Sequence, residues 1–70
     1  MKLMSKLIVS GDLFKGKAGI WLDHSVITQK CLAIAGYSNP LPEGYKLYYF
    51  AIPSTGEMVI EVYKTEEEIG

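Results

Sequence analysis

The sequence predicts a small α+β domain in which one helix lies on one face of a four-stranded, mostly antiparallel sheet. Two strand-like segments precede the only helix-like segment and two follow it, and a chain of 70 residues has room for one layer of each kind. Apolar residues make up 49% of the chain and charged residues 21%, a balance typical of globular proteins rather than disordered ones. We therefore expect residues 1–70 to form a single domain.

The first two strands are predicted from side-chain alternation and a glycine turn. Residues 3–14 mix β-branched, apolar and small polar types. Lys15-Gly16-Lys17 fits a three-residue hairpin turn, because glycine accepts a positive φ, and residues 18–22 would form the returning strand. Along the first strand, alternation puts two apolar side chains on one face, Leu7 and Val9, and three residues on the other, Lys6, Ile8 and Ser10.

The single helix is predicted between an N-terminal cap and a C-terminal glycine. Asp23 and Ser25 are both of the type that caps helices, and Gly36 can take the left-handed conformation that ends one. Projected at about 100° per residue, the intervening segment is amphipathic, with Gln29 and Lys30 turned away from its apolar side. The predicted apolar face consists of Ile27, Cys31, Ile34 and Ala35.

The last two strands are predicted as a hairpin. Residues 39–44 contain two prolines and should form a surface loop, since proline removes a backbone donor and disfavours helix before it. Tyr45–Ile52 and Glu57–Lys64 are rich in β-formers and flank the turn residues 53–56. The resulting order, ββαββ, is that of the β-grasp arrangement. A small half-open β-barrel with one helix is the alternative.

No residue pattern indicates catalysis. The segment GDLFKGKA has the outline of a phosphate-binding loop, but Ala18 stands where Ser or Thr would hold magnesium, and no helix follows directly. His24 and Cys31 are seven residues apart, which is about 10 Å along a helix, so the imidazole cannot activate the thiol. One histidine and one cysteine do not make a zinc site. We expect a non-enzymatic protein with no cofactor and no metal.

Composition also limits the compartment and the partners. A lone cysteine cannot form an internal disulfide, and no segment has the apolar length of a signal peptide or membrane helix, so we expect a cytoplasmic protein that does not bind a membrane. Residues 1–35 hold five lysines and two aspartates, whereas residues 36–70 hold two lysines and six glutamates. Three of those glutamates, at 66–68, should form a solvated tail. The chain has no arginine, which makes nucleic acid an unlikely partner.

The last hairpin predicts a surface for binding. If Ile52 pairs with Glu57, alternation gives one uniformly apolar face, which should lie under the helix, and one face that mixes aromatic and charged side chains. One short helix can cover only one side of a sheet, so the mixed face should meet water and bind a partner. This predicted partner-binding set is Lys46, Tyr48, Phe50, Ile52, Glu57, Val59, Glu61 and Tyr63.

The sequence therefore favours a small protein-binding module of the adaptor or inhibitor type, such as phages or mobile elements encode, whose partner is another protein or a second copy in a homodimer. Two alternatives remain for the mixed face. It could lie inside a barrel, or it could bind single-stranded nucleic acid by stacking bases on Tyr48, Phe50 and Tyr63. Phosphate contacts would then come from four lysines, Lys2, Lys6, Lys15 and Lys17.

Overall fold

The computed structural model describes residues 1–65, which form a small α+β fold of one helix and a three-stranded antiparallel sheet. The acidic run at 66–68, expected to be a solvated tail, lies outside the described residues. The strands are β1 (Lys2–Ser10), β2 (Tyr45–Ile52) and β3 (Glu57–Lys64), and the helix is α1 (His24–Ala35). Between β1 and α1 the chain makes two short 3-10 turns, at Gly11–Phe14 and Lys17–Gly19.

The sheet has the order β1-β3-β2, so the last strand in the chain is the central one. Ile52 pairs with Glu57, and the whole β2–β3 hairpin keeps the register predicted from its turn. On the other side β3 pairs with β1, whose register shifts between Leu3 and Ser5 where Met4 forms a bulge. Because β1 and β2 are both edges, the strands do not close into a half-open barrel within the described part of the chain.

The predicted fourth strand at residues 18–22 is not present, and β1 ends at Ser10 rather than at residue 14. Where the first hairpin was expected, the structure has a single isolated β-bridge, between Lys15 and Trp21. The turn lies later than predicted, because Ala18 and Gly19 take the left-handed conformation, with φ of 62° and 70°. The segment also leaves the plane of the sheet early, since Phe14 is fully buried in the core. The grasp-like topology is therefore not formed by these residues.

The helix ends as its sequence predicts but buries a slightly different face. Gly36 adopts the left-handed conformation, and the Tyr37 N–H donates to the carbonyl oxygen of Leu32 at 2.8 Å, which closes the helix end. Asp23 is the N-cap residue, although its side chain makes no capping hydrogen bond. Leu32 is buried, whereas Ile34, which was predicted for the apolar face, is 39% exposed.

The core lies between α1 and one face of the sheet. Its buried members come from the first 3-10 turn, the helix and the central strand, and they are Phe14, Ile27, Cys31, Met58 and Ile60. Partly buried side chains complete this layer, namely Leu7, Val9, Leu22, Leu47 and Tyr49. All helix-side packing uses one face of the sheet, which leaves the other face without a covering element among residues 1–65. Within the same residues, no helix has the length and apolar character needed to cross a membrane.

Candidate functional site

The face of the sheet that points away from α1 carries a regular array of side chains, which we call the open face. The pairing of β1 and β2 with β3 arranges it in four rows across the sheet. Each row takes one residue from β1, one from β3 and one from β2, because alternate residues of paired strands share a face. The rows are Leu3-Tyr63-Lys46, Lys6-Glu61-Tyr48, Ile8-Val59-Phe50 and Ser10-Glu57-Ile52.

The structure brings all eight residues of the predicted partner-binding set together on the open face. It also adds a column from β1 that the prediction did not include, consisting of Leu3, Lys6, Ile8 and Ser10. The alternation of side chains along the first strand already predicted that Lys6, Ile8 and Ser10 share one face of that strand. What the sequence did not reveal was that β1 pairs with β3, which places Ile8 directly beside Val59.

The third row forms an apolar ridge with a buried centre. Val59 is only 3% exposed, although no helix lies over it. Ile8 and Phe50, its partners on the two neighbouring strands, are 53% and 50% exposed. The prediction that Val59 belongs to the exposed patch is therefore wrong, because its cross-strand neighbours shield it from both sides. The accessible apolar surface comes from those neighbours and from Leu3 and Tyr48.

Glu61 places a carboxylate in the second row, directly beside the apolar ridge. Its side chain is 17% exposed, and Oε2 lies 3.9 Å from Nζ of Lys6. The hydroxyl of Tyr63 donates to Oε1 at 3.3 Å, and the Tyr63 ring meets Tyr48 edge-on, with centroids 5.5 Å apart. Desolvation, and secondarily the negative charge of Glu61, raises the pKa of Tyr63, so this phenol stays protonated and continues to donate.

Beside this cluster is an open groove of about 490 Å³. It has the volume of a small-molecule site but not the enclosure, since it opens broadly to solvent. A small ligand in this groove would therefore remain exposed to solvent on one side. The lining residues are Met1, Tyr48, Tyr49, Phe50, Glu61 and Tyr63.

The histidine and the cysteine, the two side chains of the chain most suited to nucleophilic chemistry, both lie on the helix, away from the open face. Cys31 is fully buried in the core, and burial raises the pKa of its thiol to about 11, which disfavours the reactive thiolate. Nδ1 of His24 is hydrogen-bonded to the hydroxyl of Tyr49, so the imidazole joins the start of α1 to β2. Among residues 1–65, no group of three or more metal-ligating side chains comes together.

Comparisons of the chain with protein-family models, with curated proteins and with solved structures gave no match.

Proposed function

We propose that this chain is a non-enzymatic protein-binding module, of the adaptor or inhibitor type, which docks on another protein through the open face. The observation that carries the proposal is the half-exposure of four large apolar side chains on a sheet face that α1 does not cover. Leu3, Ile8, Tyr48 and Phe50 are each between 42% and 53% exposed. Such side chains in one contiguous array are typical of interaction surfaces rather than of ordinary monomer surface.

The size of the apolar surface supports a protein partner of moderate affinity. Four large side chains, each about half exposed, offer about 400 Å². Burying that area contributes about 10 kcal/mol at 25 cal/mol/Å², against an association cost of about 4 to 15 kcal/mol. Binding therefore depends on a few anchors, and we expect Phe50 and Tyr48 to be the principal ones, since aromatic residues dominate interface energetics.

The charges on the open face indicate the chemistry of the partner. Lys46 and Glu57 lie in the first and last rows, whereas the Lys6–Glu61 pair lies in the second row. The face thus presents an apolar centre with charges of both signs and no net sign. A partner surface that is apolar at its centre and carries both signs at its rim complements it. Glu61 can accept a further hydrogen bond from such a partner.

The same charges argue against single-stranded nucleic acid. Glu61 lies between Lys6 and Tyr48 in one row, so a phosphate backbone that follows the aromatic residues would meet a carboxylate. The rings of Tyr48 and Tyr63 also pack edge to face, so one face of one of the two rings is no longer free for stacking. Two of the lysines proposed for phosphate contacts, Lys15 and Lys17, lie outside the sheet.

Capture of a partner from a lysate, followed by affinity measurements on the purified partner, tests the proposal. Wild-type chain, the double variant Tyr48→Ala with Phe50→Ala, and the control Ile20→Ala are immobilised and exposed to a lysate of the encoding organism. Ile20 is 68% exposed but lies in the connection between β1 and α1, so its loss should not affect binding. A captured protein is then purified, and its affinity for each variant is measured by calorimetry. We expect the double variant to remain folded and to bind at least about 100-fold more weakly, the loss of two anchors of about 1.4 kcal/mol or more each.

Two results would overturn the proposal. One is a partner that binds the double variant as tightly as it binds the wild type. The other is tight binding of labelled oligo(dT) or oligo(U) that weakens steeply with salt, because that behaviour marks phosphate contacts. The variant Phe50→Leu further distinguishes protein binding from nucleic-acid binding. Leucine keeps the apolar contact with a protein but removes the ring on which a base would stack.

A further inference from the structure

The two edges of the sheet differ in how well they are protected against pairing with another strand. Edge strands expose backbone N–H and C=O groups, and proteins protect them with bulges, lysines or prolines. The β1 edge has such protection, because it contains a bulge at Met4 and two lysines, Lys2 and Lys6. The β2 edge has eight residues with no proline, glycine or bulge, and Lys46 is its only charged residue.

The hydrogen-bonding pattern shows which groups of β2 are available. The Thr65 N–H donates to the carbonyl oxygen of Gly44, so the even-numbered residues of β2 bond to β3. The odd-numbered residues therefore direct their N–H and C=O groups outward, and the Tyr45 N–H is already bonded to Pro42. Within residues 1–65, no backbone group pairs with the outward groups of Leu47, Tyr49 and Ala51.

We propose that this edge pairs antiparallel with β2 of a second copy, which gives a symmetric dimer with a continuous six-stranded sheet. A two-fold axis at Tyr49 sets Tyr48 beside Phe50 of the second copy, an aromatic pair of the kind that stabilises antiparallel strands. In that register Lys46 lies opposite Ile52 rather than opposite Lys46, so the only charge on the strand does not meet itself. The outward groups of Leu47, Tyr49 and Ala51 then donate to and accept from their counterparts.

The dimer does not depend on the proposed function, because it uses the backbone edge rather than the open face. It does change that face. The open faces of the two copies become one surface across six strands, with Tyr48 and Phe50 of both copies at its centre. Tyr48 and Phe50, which are 42% and 50% exposed in the monomer, would thus lie in the middle of the assembled surface rather than at its rim.

Solution mass and edge-specific variants of the full chain test the dimer. The chain has a mass of 7.8 kDa, and sedimentation equilibrium from about 1 µM to about 1 mM should show a concentration-dependent rise to twice that mass. Ala51→Pro removes an outward N–H at an exposed edge position, where proline is tolerated. Ala51→Val is the matched control, because it keeps the N–H. We expect the proline variant to dimerise at least about 10-fold more weakly and the valine variant to dimerise like the wild type.

Amide hydrogen exchange gives a measurement that needs no variant. The amides of Leu47, Tyr49 and Ala51 should exchange more slowly as the wild-type concentration rises, whereas the outward amides of β1, such as Ile8, should not change. A mass of 7.8 kDa throughout the range would overturn the proposal, as would edge amides that stay unprotected at the highest concentration.

Ile8→Ser distinguishes this dimer from association through the open face. Ile8 is 53% exposed on β1, and β3 separates it from the β2 edge. The variant should weaken capture of a protein partner and leave self-association unchanged. If it abolishes self-association instead, the copies meet through their open faces and the edge pairing is wrong. If the β2 amides become protected only when a captured protein is added, the edge pairs with a foreign strand and not with a second copy.

Discussion

Replacement of Gly11 by alanine should destabilise the fold by forcing two backbone segments apart. Gly11 follows β1 and is buried, and its N–H donates to the carbonyl oxygen of Gly56 at 2.9 Å. A Cβ atom at this position would lie 2.3 Å from that oxygen and 3.3 Å from the carbonyl carbon. Neither atom belongs to a flexible side chain, so the clash can be relieved only if one backbone segment moves away.

The expected loss in the free energy of unfolding is the sum of three contributions. Losing the hydrogen bond costs about 1 kcal/mol, and the overpacked contact costs about 1 to 3 kcal/mol. The reduced entropy of the unfolded chain returns about 0.4 to 1 kcal/mol. The net loss of about 1 to 3 kcal/mol is a large share of the roughly 4 to 10 kcal/mol expected for a domain of this length, and it corresponds to a fall in Tm of at least about 4 °C.

Urea and thermal unfolding followed by circular dichroism measures the effect. Gly16→Ala is the matched control, because Gly16 has an ordinary φ of −93° and the closest atom to its added Cβ would be Cδ2 of Leu22, at 3.3 Å, with the carbonyl oxygen of Ile20 at an ordinary contact distance of 3.9 Å. The Leu22 atom is the end of a flexible side chain and can move. The control should therefore unfold close to the wild type. If Gly11→Ala also unfolds within about 0.5 kcal/mol of the wild type, the close approach of residues 11 and 56 is not a constraint on the fold.

Two further predictions concern the helix. Burial raises the pKa of the Cys31 thiol to about 11 in the folded state, so on raising the pH the unfolded chain loses this proton first. The free energy of unfolding should therefore be constant below about pH 9 as far as this group is concerned, and fall by about 2 to 3 kcal/mol between pH 9 and pH 11. Unfolding of wild type and Cys31→Ala at a series of pH values isolates this contribution, and parallel curves for the two would contradict it. Gly36→Ala should cost about 1 kcal/mol, because φ is 83° there, and Gly36→Asn should cost less, since asparagine tolerates the left-handed conformation. Equal urea midpoints for alanine and asparagine would refute that explanation.

The parts of the fold that the sequence predicts correctly are those fixed by local chemistry. The β2–β3 hairpin has turn residues at 53–56 between two alternating segments, and its register follows because a slip by one residue would turn every apolar side chain to the wrong face. The end of α1 is equally local, since Gly36 alone can take the required conformation without strain. Both features depend on residues that are near one another in the chain.

The errors concern contacts between distant residues. Residues 18–22 have the composition of a strand, but Gly11 is held against Gly56 and Phe14 enters the core, so the chain leaves the sheet before a second strand can form. The order β1-β3-β2 likewise depends on which edge of the hairpin β1 joins, and alternation carries no information about that choice. For this reason the β1 column of the open face, with Ile8 beside Val59, could not be predicted.

The burial of Val59 explains why the open face should be both stable and available. A sheet face exposed over its whole width would lose the hydrophobic stabilisation of its central strand, yet Val59 is 3% exposed because Ile8 and Phe50 lie against it. Those two side chains each have one half in contact with the sheet and the other half in water, so a partner that covers them gains apolar burial without any rearrangement of the sheet. The proposed contact surface is thus already formed in the free chain, which would reduce the entropy lost on association with a partner. A chain of 70 residues with a single layer of core can form such a surface because the cross-strand neighbours of β3, rather than a second helix, shield its centre.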